Sequence, residues 1–192
     1  MAAELYTPLQ LPCTSCKLTF NTIWSYHRHI YGGYYSSRTD TRCNCKYDHL
    51  EELKDLEELA ISRIDKKYPY DTFIDLELLC TFGTNHIYNM PVIIDENDTS
   101  LTGTVMLYND DLKHYPIISI KPNDLTLSTY IFEQLSQRQN DIYYICKNTD
   151  TVDLSRVKKM QIPIIPIEQQ QEYVNSCGKL HAAFNLIIHG DM

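Results

Sequence analysis

No apolar run in this sequence is long enough to span a bilayer, and the N-terminal MAAELYTPLQ lacks the basic and apolar regions of a secretory signal. These two absences predict a soluble, intracellular protein, nuclear or cytoplasmic, with no membrane partner. Disulfides are rare in a reducing compartment. The seven cysteines are therefore expected to be thiols or metal ligands.

The sequence also lacks the usual signatures of catalysis. It contains no glycine-rich phosphate loop and no methyltransferase motif, and His86 and His114 are isolated. Ser155 has no histidine pattern near it. Because a nucleophile needs a base within hydrogen-bond reach, we predict that the protein is not an enzyme.

Positive charge is scarce as well. The chain has 17 Lys and Arg against 25 Asp and Glu, a net charge of −8. Residues 73–174 are the most acidic part, with 7 basic and 14 acidic side chains, whereas residues 1–49 have 5 and 3. Phosphate contacts supply much of the affinity of nucleic-acid-binding proteins. Any DNA binding must therefore come from a local positive face.

A cysteine- and histidine-rich segment occupies the N-terminal quarter of the chain. Cys13 and Cys16 form a C-x2-C knuckle, whose two thiolates can reach one zinc ion from a tight turn. Phe20 and His29 follow at the positions where a C2H2 zinc finger has its core aromatic residue and its first histidine. The second histidine of such a finger is missing, because two glycines at 32 and 33 end the predicted helix.

The remaining zinc ligands are expected from Cys43 and Cys45. Two ligand sets stay open. One is Cys13, Cys16 and His29 with one of the two later cysteines, and the other consists of the four cysteines. No glutamate stands beside a candidate ligand as zinc hydrolases and deaminases require. We therefore predict a structural zinc ion in a small module, residues 1–47.

Helical and strand periodicities divide the rest of the chain. A capped, amphipathic helix is predicted over residues 48–66 within a connecting segment, 48–72, and a second long helix over 168–188. Between them we predict a further helix over 127–139 and short strands over 73–81, 90–94, 104–108, 115–120, 142–146 and 160–165. This order predicts an α+β fold with a curved, mixed β-sheet in a domain of residues 73–176, followed by a C-terminal helical segment, 177–192.

One stretch, residues 152–175, is the most distinctive part of the sequence. Pro163 and Pro166 interrupt IPIIPI, and a proline cannot donate to a strand ladder, so this strand is predicted to lie at an edge. A turn and a basic pair precede it, and a Glu-Gln-Gln helix follows it. Ile162, Ile164 and Ile167 are expected to be buried.

That stretch resembles the closing segment of a target-recognition domain from the specificity subunits of type I restriction-modification systems. DLELLCTFGTN (75–85), TGTVMLYNDD (102–111), YPIISIKPND (115–124) and LSTYIFEQL (127–135) resemble its earlier segments in the same order. The resemblance covers about residues 73–176. It implies a non-catalytic protein that binds double-stranded DNA and pairs through its long helices with a protein partner or a second copy.

The candidate DNA contacts come from two sources. The resemblance implies a polar loop with Lys147 and Asn148, and basic residues after it; the zinc-finger pattern adds arginines from the N-terminal module. The full set is Arg28, Arg38, Arg42, Lys147, Asn148, Arg156, Lys158 and Lys159. The alternative is a structural or protein-interaction module that kept the fold without DNA recognition. A single such domain with a cysteine-rich segment also looks like a protein of a large DNA virus.

Overall fold

A computed structural model describes residues 6–13, 17–31, 50–70, 72–96, 101–146 and 151–190. The helices are α1 Ile23–Tyr31, α2 Leu50–Lys67, α3 Leu76–Leu79, α4 Ser128–Gln137, α5 Gln139–Cys146, α6 Leu154–Lys158 and α7 Ile167–His189. The strands are β1 Leu11–Pro12, β2 Thr19–Phe20, β3 Thr72–Asp75, β4 Cys80–Gly83, β5 Pro91–Ile94, β6 Val105–Leu107, β7 Ile117–Pro122 and β8 Gln161–Ile164. The α+β class is thus confirmed.

The central sheet has the strand order β4-β7-β5-β6. Every strand pairing in the described residues is antiparallel, so the prediction of a mixed sheet is wrong. A parallel pair needs a long crossover connection, and the short segments between β5, β6 and β7 do not provide one.

Both faces of the central sheet are covered. In β5, Val92 and Ile94 belong to one apolar core, whereas Ile93 belongs to another. Because successive side chains of a strand point to opposite faces, one face packs against β1, β2 and α1, and the other packs against α4 and α5. The continuous apolar sequence of β5 reflects burial on both sides.

The N-terminal residues form a hairpin followed by a helix and share a core with the central sheet. Leu11 pairs with Phe20 across the hairpin. Asn21 joins this unit to β6: its Nδ2 donates to Leu9 O at 3.0 Å, and its Oδ1 accepts from Leu107 N at 3.1 Å. The Oγ1 of Thr22 accepts from Ser25 N at 3.0 Å and so caps α1.

The strand predicted over 73–81 is broken in the middle. The four residues of α3 separate β3 from β4, because Leu76 and Leu79, three positions apart, both point into the core and are fully buried. The two halves then join different sheets, since β3 pairs with β8 and β4 pairs with β7.

The prediction of a strand over 142–146 is wrong, because these residues belong to helix α5. Ile142, Tyr143 and Cys146 recur at helical spacing and are buried together. Gln139 at the start of the helix contacts the backbone of the sheet edge. Its Oε1 accepts from Val105 N at 2.8 Å, and its Nε2 donates to Gly103 O at 2.7 Å.

The proline-containing strand lies at an edge, as predicted. Within the described residues β8 pairs only with β3, and the hydroxyl of Tyr130 donates to Pro163 O at 2.7 Å. Ile162 is fully buried and Ile164 is partly buried. The expectation for Ile167 is wrong, since it is 40% exposed at the start of α7, and Ile165 is buried instead.

The two long helices α2 and α7 pack against each other. Glu57 of α2 lies beside His181 of α7, and Asp65 accepts from the hydroxyl of Tyr173 at 2.6 Å. Residue numbers therefore rise along one helix as they fall along the other, so the pair is antiparallel. Among the described residues, no helix combines the length and the apolar character needed to cross a membrane.

Candidate functional site

The basic residues after the polar loop lie on and beside α6. Asp153 caps this helix, since its Oδ1 accepts from Arg156 N at 3.3 Å and from Ser155 Oγ at 2.7 Å. The hydrogen bond from Ser155 is the main reason that the pKa of Asp153 is lowered. Val157 anchors the turn in the core, and this leaves Arg156 exposed on the surface.

The two lysines of this turn have different surroundings. Lys159 forms an ion pair with Glu77, and the hydrogen bond to that carboxylate is the main cause of its raised pKa. The Nζ of Lys158 lies 5.7 Å from the centre of the Phe82 ring, and no ion pair is recorded for it in the described residues. Arg156 and Lys158 are therefore better placed than Lys159 to meet a phosphate.

Arg28 does not join this surface. Its Nη1 donates to Thr102 O at 2.9 Å, and its guanidinium carbon lies 3.9 Å from the centre of the Tyr143 ring. These contacts hold the partly buried side chain of Arg28 against α5 and Thr102. The choice of Arg28 as a DNA contact stays a prediction. Four other candidates, Arg38, Arg42, Lys147 and Asn148, lie outside the described residues.

Two candidate zinc ligands are described, and both are buried in the hairpin-helix unit. Cys13 directly follows β1, and Lys17 N donates to Cys13 O at 2.8 Å. The ring of His29 lies 4.7 Å from that of Phe20, and burial lowers the pKa of His29 to about 4. The imidazole is therefore neutral at pH 7, the form that ligates zinc.

The other candidate ligands, Cys16, Cys43 and Cys45, lie outside the described residues. Within the described ranges, no three His, Cys, Asp or Glu side chains are grouped so that they could hold a metal ion. The described residues thus contribute one thiol and one neutral imidazole, and the zinc site stays a prediction.

A buried cluster of two glutamates and a histidine lies where α2, α4 and α7 meet. The sequence did not predict this cluster. The Nε2 of His181 lies 2.8 Å from Oε1 of Glu133, and its Nδ1 lies 3.6 Å from Oε1 of Glu57. Tyr6 donates to Glu133 from the N-terminal segment. A signal was available, because Glu57 falls on the apolar stripe of α2 together with Leu53.

The ionisation of this group follows from its burial. Burial raises the pKa of Glu57 to about 7, His181 opposes the rise, and Glu133 and Glu58 add to it. For His181, burial would lower the pKa, but the nearby Glu133 and Glu57 outweigh it, so the pKa is raised. Both shifts favour the binding of a proton by this buried group.

The fold of this chain is similar to that of solved proteins from type I restriction-modification systems. The chain is similar to the specificity subunit of a type I restriction-modification system from M. genitalium, with a TM-score of 0.52 and 14% identity over 72% of this chain and 49% of that one. It also matches a chain from a structural study of assembly and conformational transition in the type I R-M system, with a TM-score of 0.49, 13% identity and coverage of 72% and 48%. A third match is the HsdS subunit from Thermoanaerobacter tengcongensis, with a TM-score of 0.45, 11% identity and coverage of 75% and 48%.

The chain spans about half the length of these solved proteins. No protein-family model matches the sequence, and no curated protein matches it. At 14% identity the likeness to the M. genitalium subunit shows a shared fold. The fold expected from the sequence resemblance is thus confirmed.

Proposed function

We propose that this chain is a non-catalytic DNA-binding protein that uses a target-recognition fold. The observation that carries the proposal is the fold similarity to the specificity subunit from M. genitalium over 72% of the chain. The basic turn at α6 adds a local source of positive charge in an otherwise acidic domain. It lies just before β8, in the segment whose sequence is the most distinctive.

The proposed contact surface is centred on Arg156 and Lys158. Arg156 is exposed in the middle of α6, and a guanidinium can bind a phosphate with two hydrogen bonds. Lys159 is a weaker candidate, because a phosphate would have to displace Glu77 from it. The net charge of −8 predicts modest affinity that disappears at high salt.

The test is binding of a fluorescent, random-sequence DNA duplex at several salt concentrations. We expect the wild type to bind, and the double variant Arg156→Gln, Lys158→Gln to lower the slope of log affinity against log salt by about 2, or about 1 for each lost phosphate contact. Fluorescence anisotropy measures both quantities. Arg156 is exposed and Lys158 is partly exposed, so the melting temperature should change little.

The matched control is the double variant Lys113→Gln, Lys179→Gln, which removes the same charge from two exposed positions elsewhere. It should keep the wild-type slope. An absence of binding by the wild type at low salt rejects DNA recognition, and equal slopes for the two double variants reject the α6 surface.

The second candidate function is a protein-interaction module that pairs with a second copy of the chain. Its support is the set of large apolar side chains that α2 and α7 leave exposed, namely Leu56, Leu59, Leu186 and Ile187. The matched part of the chain also covers only 49% of the M. genitalium subunit, so the matched parts of two copies would together cover about its whole length. If DNA is not bound, a concentration-dependent dimer in sedimentation experiments would support this function.

We also propose that the N-terminal segment binds one structural zinc ion through Cys13, Cys16 and further ligands from His29, Cys43 and Cys45. Protein purified without chelator should contain about one equivalent of zinc per chain. Removing the metal with a chelator should lower the melting temperature, because binding free energy contributes to folding when a metal completes a small module. Atomic absorption and a thermal melt measure the two effects.

Two cysteine variants make the zinc test specific. Cys13→Ser should lose the metal, whereas Cys80→Ser, which changes a buried thiol in a different core, should keep it. A chain without zinc whose melting temperature is unaffected by chelator would contradict the proposal, as would zinc retained at full level by Cys13→Ser.

A further inference from the structure

A cavity of about 250 Å³ lies where the start of α1 meets α2, α4 and α7. Its polar wall contains Glu57, Glu58 and Asp65 from α2, Glu133 from α4 and His181 from α7. Its apolar wall includes Ile23 and Ile61. The volume equals that of about eight liquid waters, so the cavity has room for a small organic molecule.

One carboxylate in this wall is buried and incompletely satisfied. Glu57 is only 7% exposed, and its Oε2 has no hydrogen-bond partner in the part of the chain that the structure describes. Its other oxygen, Oε1, lies 3.6 Å from His181 Nδ1. A buried carboxyl oxygen without a donor costs free energy, and a ligand with N–H groups would supply the missing donor.

The negative charge of the cavity wall favours a positively charged ligand. Four carboxyl groups and one imidazole face the cavity, and none of the described lining residues is Lys or Arg. An anion would be repelled, whereas a cation would be attracted in a site partly shielded from water. The space exceeds what a single metal ion needs, and the described residues form no group suited to a metal.

We propose that this cavity binds a small primary alkylammonium ion. The ammonium group has three N–H donors. One of them would pair with Glu57 Oε2 after a small rotation of the carboxyl group, because this oxygen has almost no accessible surface in the structure. The alkyl stem would lie against Ile23 and Ile61. This site is separate from the basic α6 surface, so it does not depend on DNA recognition.

The test is calorimetric titration of the full chain with putrescine at pH 8, above the pKa of about 7 that burial gives Glu57, so that its carboxyl group is ionised. We expect saturable binding, with much weaker binding of 1,4-butanediol, which has the same length without charge. Tetramethylammonium, a cation without N–H donors, should also bind much more weakly. Glu57→Gln keeps the shape of the side chain, removes its charge and should weaken putrescine binding about 10-fold or more, as expected for a charged hydrogen bond.

The matched control is Asp55→Asn, which removes one negative charge from an exposed position of the same helix outside the cavity. It should bind putrescine as the wild type does. Glu58→Gln provides a second variant that cannot disturb packing, because Glu58 is exposed at the cavity rim, and it should weaken binding by a smaller factor.

Three results would overturn the proposal. The first is no measurable heat with putrescine, the second is equal binding of putrescine and butanediol, and the third is an equal affinity of Asp55→Asn and both glutamate variants. The last result would mean that putrescine collects on the acidic surface in general. Circular dichroism of each variant shows beforehand whether it is folded.

Discussion

Replacing Ile162 with aspartate is expected to lower the free energy of unfolding by about 4 kcal/mol, the largest effect of any single change considered for this protein. Ile162 is fully buried, pairs with Ile74 across the β3–β8 ribbon and belongs to the core between the sheet and α4. An aspartate there would remove apolar burial and place an unpaired carboxyl group in the core. Urea denaturation followed by circular dichroism measures the loss.

The same substitution five residues later provides the control. Ile167 is 40% exposed at the start of α7, and a carboxylate near a helix N-terminus interacts favourably with the helix dipole. Ile167→Asp should therefore change the free energy of unfolding by less than about 1 kcal/mol. Similar losses for the two variants would show that β8 does not anchor the chain to its core.

Replacing Glu57 with glutamine should make the protein more stable at pH 8 than the wild type by about 3 kcal/mol, with little difference near pH 4.5. Burial raises the pKa of Glu57 from 4.5 to about 7. The folded state therefore binds a proton more tightly than the unfolded state does. The stability from this proton is fully present below pH 4.5 and is lost as the pH rises through 7.

The expected stability difference follows from the pKa shift of Glu57, since each pKa unit corresponds to about 1.4 kcal/mol. His181, Glu133 and Glu58 also act on Glu57, and the raised pKa of His181 changes stability in the same direction, with loss as the pH rises. Comparing the variant with the wild type at each pH isolates the contribution of Glu57 from that of other titrating groups.

The measurement is the free energy of unfolding of both proteins in urea at pH 5, 6, 7 and 8. The control is Asp55→Asn, whose exposed side chain should leave a difference from wild type below about 0.5 kcal/mol at every pH. A difference between Glu57→Gln and wild type that stays constant from pH 5 to pH 8 would contradict the prediction.

The elements predicted best are those with a long, regular apolar pattern. Helix α2 was predicted over 48–66 and spans 50–67. Helix α7 was predicted over 168–188 and spans 167–189. The helix predicted over 127–139 is α4, with slightly shorter bounds. Several turns of an amphipathic helix repeat the same signal, so one ambiguous residue does not change the assignment.

Short apolar runs were predicted less well. Residues 142–146 read as a strand because Ile, Tyr and Cys are common in strands, yet their burial at helical spacing places them in α5. The run 73–81 suits a strand throughout, but Leu76 and Leu79 reach the core only through a helical turn. Over four or five residues, the helical and extended patterns differ too little to be separated.

The candidate surface was predicted in part. The sequence indicated the basic turn before β8, and the structure leaves Arg156 exposed there. Arg28 had the residue type of a DNA contact but lies against Thr102 and Tyr143. Its partners are separated from it by 74 or more residues, so only the packing of α1 against the rest of the chain reveals its role.

The sequence by itself determined which segments are helical over many residues, that a proline-containing strand must lie at an edge, and that negative charge dominates residues 73–174. These properties depend on neighbouring residues or on composition alone. Only the tertiary structure decided that the sheet is antiparallel, that Arg28 stacks on Tyr143, and that Glu57, Glu133 and His181 meet around one cavity. Each of these depends on which distant segments pack together, and local periodicity says which face of an element is buried but not which partner covers it.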